Sequence, residues 1–160
     1  MTIPKEIVET AKSIMLDFGN HPLTIFVIGT KGKIYFTVPH RETYPERVEQ
    51  MIRSGMFAAR QRDIGDLVQV IYISEGWAGA HREQFVRPSV DPNRREVLLI
   101  TELDVAQNTQ SVEAYICVRD RNDKVVELKP MLPEKQAEVS SELLPSFVLG
   151  FRLFKRSTSK

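Results

Sequence analysis

The chain has little of what usually announces a chemistry. Its single cysteine, Cys117, leaves no intramolecular disulfide to form, and no Cys or Cys/His pair has the spacing of a zinc knuckle or a redox pair. A reducing, cytoplasmic setting is therefore the expectation. The three histidines, His21, His40 and His81, are isolated, with no second His or Cys close behind to place two ligands on one edge, so no metal is expected. Net charge is nearly absent too: 22 Lys plus Arg against 21 Asp plus Glu leave +1, too little for a whole-protein field acting on a polyanion or an acidic membrane. Long apolar runs are missing. Val70 to Ile73 is among the longest, far short of the roughly 20 residues of a membrane span, and charges break the first residues where a secretory signal would need an apolar stretch.

What is present is an ordinary globular composition. With 42% hydrophobic and 27% charged residues in 160, the chain lies away from the disordered class and is long enough to bury one core without a cofactor. We expect one domain over 1–155 and a frayed basic tail over 156–160.

Ile7, Ala11, Ile14, Met15 and Phe18 recur at steps of three and four, which predicts a first helix ended by Gly19-Asn20. Leu23–Ile28 and Lys33–Val38, dense in β-branched and aromatic residues around Gly29-Thr30-Lys31-Gly32, predict a hairpin whose glycines take positive φ. Thr43 and Glu46 have capping-box spacing with Pro45 in the first turn, opening a helix with Val48, Met51, Ile52, Met56 and Ala59 inward and Arg47, Arg53, Arg60 and Arg62 toward solvent. Leu67–Ser74 is apolar on nearly every position, the pattern of a strand buried in mid-sheet. Arg95–Leu103, Ser111–Val118 and Lys124–Leu128 follow as strands. In the second of these, Val112, Ala114, Ile116 and Val118 define an apolar face opposite a more polar one bearing Glu113, Tyr115 and Cys117. The segment over 143–155 fits both periods, and its longer helical stripe with Pro145 in the first turn predicts a helix.

The order α-β-β-α-β-β-β-β-α predicts an α+β fold: a single mixed or antiparallel sheet of five to six strands, helices at start, middle and end, and the helices gathered on one face. This element order resembles that of profilin-like and longin or roadblock-type domains, a likeness of architecture that implies no activity.

The most unusual local sequence is Ser74-Glu75-Gly76-Trp77, with His81 shortly after it. It holds the only tryptophan beside a carboxylate, at the end of the buried strand where a loop would start. Glu75 and His81 could act as acid/base partners, or Ser74 as nucleophile with His81 as base. The structural alternative has Trp77 capping the sheet and Gly76 making the turn. Ser74 stands in no nucleophile elbow. Together with Arg87-Pro88-Ser89-Val90-Asp91-Pro92 and Arg94–Ile100, this stretch resembles a pattern in small uncharacterised bacterial and phage proteins over residues 67–103, which implies no activity and ties the tryptophan loop to the Arg-Glu strand entry as one surface.

Arg82, Arg87, Arg94 and Arg95 with Phe85 form a local basic cluster that could grip single-stranded nucleic acid, while Glu83, Asp91 and Glu96 among them offer simple ion pairs, for instance Arg94 or Arg95 with Glu75 or Glu96. Gly29-Thr30-Lys31-Gly32-Lys33 lacks phosphate-loop spacing and feeds a strand, and Asp120–Asp123 is too short for a calcium loop. Phe147, Phe151 and Phe154 with Leu143, Leu144 and Val148 close the core or form a homodimer seam. The resulting expectation is a non-catalytic protein-interaction or self-associating module without cofactor, with Trp77 and the four arginines as its binding surface. The alternatives are a small enzyme at 74–81 and a nucleic-acid binder at 82–95.

Overall fold

The computed structural model describes residues 3–78, 95–131 and 142–158. The elements are α1 (Lys5–Phe18), β1 (Thr24–Gly29), β2 (Lys33–Thr37), α2 (Tyr44–Gln61), β3 (Leu67–Ala78), β4 (Arg95–Asp104), β5 (Thr109–Arg119), β6 (Val125–Pro130) and α3 (Leu143–Thr158). The six strands form one sheet in the order β2-β1-β3-β4-β5-β6, with every neighbouring pair antiparallel. The predicted α+β architecture and element order are those of the molecule. No helix among the described residues is long and apolar enough to cross a membrane.

The helices do not share one face. Ala11 and Met15 of α1 pack on Ile71, Ile73, Leu98 and Ile100, while α2 and α3 cover Ile25, Val27, Val70 and Leu103 on the opposite side. Strand alternation explains the division. Residues 70 and 72 of β3 point one way and 71 and 73 the other, and all are aliphatic or aromatic, so the central strand requires a cover on both sides. A fully buried side chain such as Phe147 of α3 contributes about 1.5–3 kcal/mol against exposure. The segment over 143–155 is helical because Leu144, Phe147, Val148 and Phe151 reach this core, while Leu149 and Leu153, which a strand would have buried with Phe147 and Phe151, are exposed.

Local chemistry sets the element ends. Pro4 occupies the cap of α1, its carbonyl accepting the Ile7 and Val8 N–H groups, and Gly19 at φ 75° returns its N–H to Met15 at 2.9 Å. Thr43 Oγ1 accepts the Glu46 N–H, as the capping spacing predicts. Asp120 Oδ1 receives the Asn122 and Lys124 N–H groups and closes the β5–β6 turn.

The hairpin glycines serve a different purpose from the expected one. The positive-φ glycines among the described residues are Gly19 and Gly65, not Gly29 or Gly32. Gly29 is required by close approach: a Cβ there would lie 2.2 Å from the Ile64 carbonyl oxygen, where the Thr30 and Lys31 N–H groups bond to the α2–β3 connection.

On β5 the polarity runs opposite to expectation. Tyr115 is buried under α1 and Cys117 packs in the same cluster, whereas Val112 of the apolar set is 40% exposed. Tyr115 tolerates burial because its hydroxyl donates to Glu113 Oε2 at 2.7 Å and the Lys12 ammonium sits 4.2 Å above its ring. Two further residues depart from their predicted helical faces: Phe18 is 73% exposed at the end of α1, and Met56 on α2 is exposed while Ser54, Gly55 and Ala58 are buried.

Candidate functional site

Ser74-Glu75-Gly76-Trp77 is strand, not loop. β4 begins at Arg95 and keeps its pairing through Leu99↔Ser74, Leu98↔Glu75, Val97↔Gly76 and Glu96↔Trp77. Gly76 therefore makes no turn, and Trp77 stands on an extended ribbon. Alternation places Ser74 and Gly76 on the face of Tyr72, and Glu75 and Trp77 on the face of Ile73.

At this end of the sheet a cleft of about 1050 Å³ opens between the α1–β1 connection, the β2–α2 connection and the paired ends of β3 and β4. His21 and Pro22 form one wall, His40 and Tyr44 another, and Glu75 and Trp77 the third. Trp77 is 45% exposed and Tyr44 46%, so two large aromatic side chains present surface at one opening.

His21 is buried at the base. Its backbone N–H donates to Glu75 Oε1 at 2.6 Å. Its ring Nδ1 lies 2.7 Å from the Pro22 carbonyl, and because a carbonyl only accepts, Nδ1 carries a proton. Arg47 is held in place: its Nε donates to the Arg41 carbonyl at 2.7 Å and Nη2 to that of Glu42 at 3.4 Å. The residue read from periodicity as solvent-facing is thus half-buried and organises the β2–α2 connection. Tyr44 accepts the Glu142 N–H on its hydroxyl, joining the starts of α2 and α3. Burial of Tyr72 raises its phenol above the usual value, and the positive charge of Arg47 partly offsets this.

Of the candidates from sequence, Ser74, Glu75 and Trp77 meet in this cleft region. Arg95 opens β4 beside them, exposed and opposite Ala78. His81, Arg82, Arg87 and Arg94, with the acid/base and nucleic-acid readings that need them, lie outside the described residues. Among the described residues Glu96 pairs with Arg119 and Glu75 accepts the His21 N–H, while Arg94 lies outside them. Sequence reasoning did not gather His21, His40, Tyr44, Arg47 and Tyr72 into the site. The available signal was the Thr43 cap with Pro45, which fixes where α2 begins and so puts Tyr44 and Arg47 in its first turn. Among the described residues no group of His, Cys, Asp and Glu is arranged to hold a metal ion.

Compared with known proteins, the chain matches no family model, no curated protein and no solved structure.

Proposed function

We propose that this protein is a non-catalytic binding module that receives a segment of a protein partner in the cleft at the end of β3 and β4. One observation carries the reading: Trp77 and Tyr44, each nearly half exposed, both line a single concave surface. Aromatic residues of this kind anchor protein interfaces because they offer large apolar area with few rotatable bonds, and a concave setting lets a partner desolvate them fully. The β3–β4 ladder holds the backbone of Trp77 and the Glu142 N–H holds the hydroxyl of Tyr44, which lowers the ordering cost of binding.

A photo-crosslinking amino acid placed at position 42 of the full chain, exposed on the lining of the cleft and leaving Trp77 and Tyr44 in place, and irradiated in cells, tests this. The expected result is a discrete protein adduct that weakens strongly when Tyr44→Ala is added. Absence of any adduct, a nuclease-sensitive adduct, or a low-mass species carried by the purified protein and lost in Trp77→Ala would overturn the reading, the last in favour of an enzyme.

A further inference from the structure

Beneath the first turns of α2 and α3 the cleft continues into an inner pocket of about 310 Å³. Its floor is one face of the sheet, where Tyr72 and Ser74 of β3 lie beside their β4 partners Thr101 and Leu99. Three hydroxyl-bearing side chains, Tyr72, Ser74 and Thr101, therefore line one small hollow, and Arg47 lines it from α2. The hydrogen bonds of Arg47 to the Arg41 and Glu42 carbonyls hold the guanidinium through Nε and Nη2.

The charge balance of this hollow differs from that of the outer cleft. His40, Arg41 and Arg47 line the inner pocket, and the carboxylate among its described residues is Glu75, one oxygen of which is occupied by the His21 N–H. Glu42 and Glu96 line the outer cleft alone, and Glu96 is neutralised by Arg119. A pocket with hydroxyl groups on its floor, the held guanidinium of Arg47 at its side and the apolar side chains of Leu23, Leu99, Leu143 and Leu144 around them favours a compact anion. Charge-assisted hydrogen bonds repay the loss of the anion's hydration, and a planar guanidinium already held in position costs little further entropy.

We propose that the inner pocket binds a carboxylate or phosphate group, supplied by the partner segment whose body lies against Trp77 and Tyr44. The source of the group rests on the binding reading above, whereas occupancy by a free anion does not. The test is titration of the full chain with inorganic phosphate and, separately, with acetate at constant ionic strength, following the Trp77 emission and the backbone amide resonances of residues 72–77. The expected result is a saturable shift with at least one anion, weakened about ten-fold by Arg47→Gln and by Ser74→Ala, the loss that follows removal of a hydrogen bond to a charged group. Ser74→Ala removes a hydroxyl without disturbing the β2–α2 connection, so it keeps the test valid if Arg47→Gln loosens the fold. Tighter binding of phosphate identifies a phosphorylated source, and tighter binding of acetate a carboxylate source. No saturable shift with either anion, or a shift unaltered in both variants, overturns the proposal. A crosslinked partner without anion binding would leave the binding module standing and remove the anion pocket, and the reverse outcome would do the opposite.

Discussion

The guanidinium of Arg119 closes on the carboxylate of Glu96 through two hydrogen bonds of 2.7 Å, Nε to Oε2 and Nη2 to Oε1. Nη2 also donates to the Gly19 carbonyl at 2.8 Å, and Nη1 to that of Asp123 at 2.8 Å. One side chain of β5 thereby ties β4, the end of α1 and the β5–β6 turn. Its partner Glu96 also pairs with Trp77 across β3 and β4 and lines the outer cleft, so the clamp stands beside Trp77 at the candidate site.

Arg119→Ala leaves the partly buried Glu96 unpaired and removes the donor to Gly19, and should cost about 2–3 kcal/mol by urea denaturation. Arg119→Lys keeps the charge but not the fork, so it should recover less than half of that loss. A loss within a few tenths of a kcal/mol for Arg119→Ala would show that the clamp is ornamental.

Gly55 and Gly150 set how closely α2 and α3 approach. A Cβ on Gly55 would lie 2.0 Å from the Phe147 carbonyl oxygen, and one on Gly150 would lie 1.9 Å from that of Ile52. These obstacles are backbone atoms that no rotamer change can move. Gly→Ala in a helix ordinarily gains up to about 1 kcal/mol from propensity. Here either substitution should instead destabilise by roughly 2–3 kcal/mol, the cost of forcing packed elements apart. Thermal melts of both single variants decide the matter, and a raised Tm in either would mean the helices can separate without loss.

Much of this fold was legible because patterns of apolar residues carry it. The nearly continuous apolar run across Leu67–Ser74, apolar on both faces, implied a central strand, and the Thr43 cap placed the start of α2 to the residue. Three features were not legible, each for a physical reason. The length of β3 depends on its partner: β4 starts early enough to hold Ser74–Trp77 in the ladder, and no local preference in those residues states this. The two-sided arrangement of the helices turns on which face α1 covers, and Tyr115 and Cys117 are amphipathic enough to sit under a helix although their alternation reads as the outer side. The cleft gathers residues from three connections far apart in sequence, and His21 or His40 alone carries no sign of the others. Trp77 stood out in the sequence through its rarity and neighbours, and the hollow beside it that Arg47 lines did not.

Alkaline pH should unfold this protein earlier than its composition suggests. Burial, with Glu96 and Glu75 nearby, pushes the Cys117 thiol from its ordinary 9.0 up to about 11, and burial with the Glu113 carboxylate pushes the Tyr115 phenol from 10.0 up to about 12. Both groups are neutral when protonated and hold the proton more tightly in the folded state. Their stabilisation is complete below about pH 9, and is lost as pH rises toward 11 for Cys117 and 12 for Tyr115. The urea midpoint should therefore be flat up to about pH 8.5 and decline from about pH 9.5 upward, with a shallower decline in Cys117→Ala. Iodoacetamide at about pH 8 should modify folded Cys117 at least ten-fold more slowly than unfolded chain. Rapid labelling, or an alkaline decline unaltered in Cys117→Ala, would contradict this account.

Glu75 separates the structural from the catalytic reading of the site most directly. Its Oε1 receives the N–H of His21, a buried residue on the connection that forms one wall of the cleft. Glu75→Gln keeps a carbonyl oxygen that can accept the same bond, so it should change stability by less than about 0.5 kcal/mol, whereas Glu75→Ala strands the backbone donor and should cost about 1–2 kcal/mol. The same pair tests function. If Glu75 works by holding His21 and the cleft wall, crosslinking through position 42 should persist in Glu75→Gln and fall in Glu75→Ala, because the amide restores the hydrogen bond without the charge. If Glu75 serves as a general base, the amide and the alanine should be equally inactive toward whatever substrate the cleft admits, since neither accepts a proton at neutral pH. The ratio between the two variants, rather than the loss in either one, decides which property of the side chain the site uses.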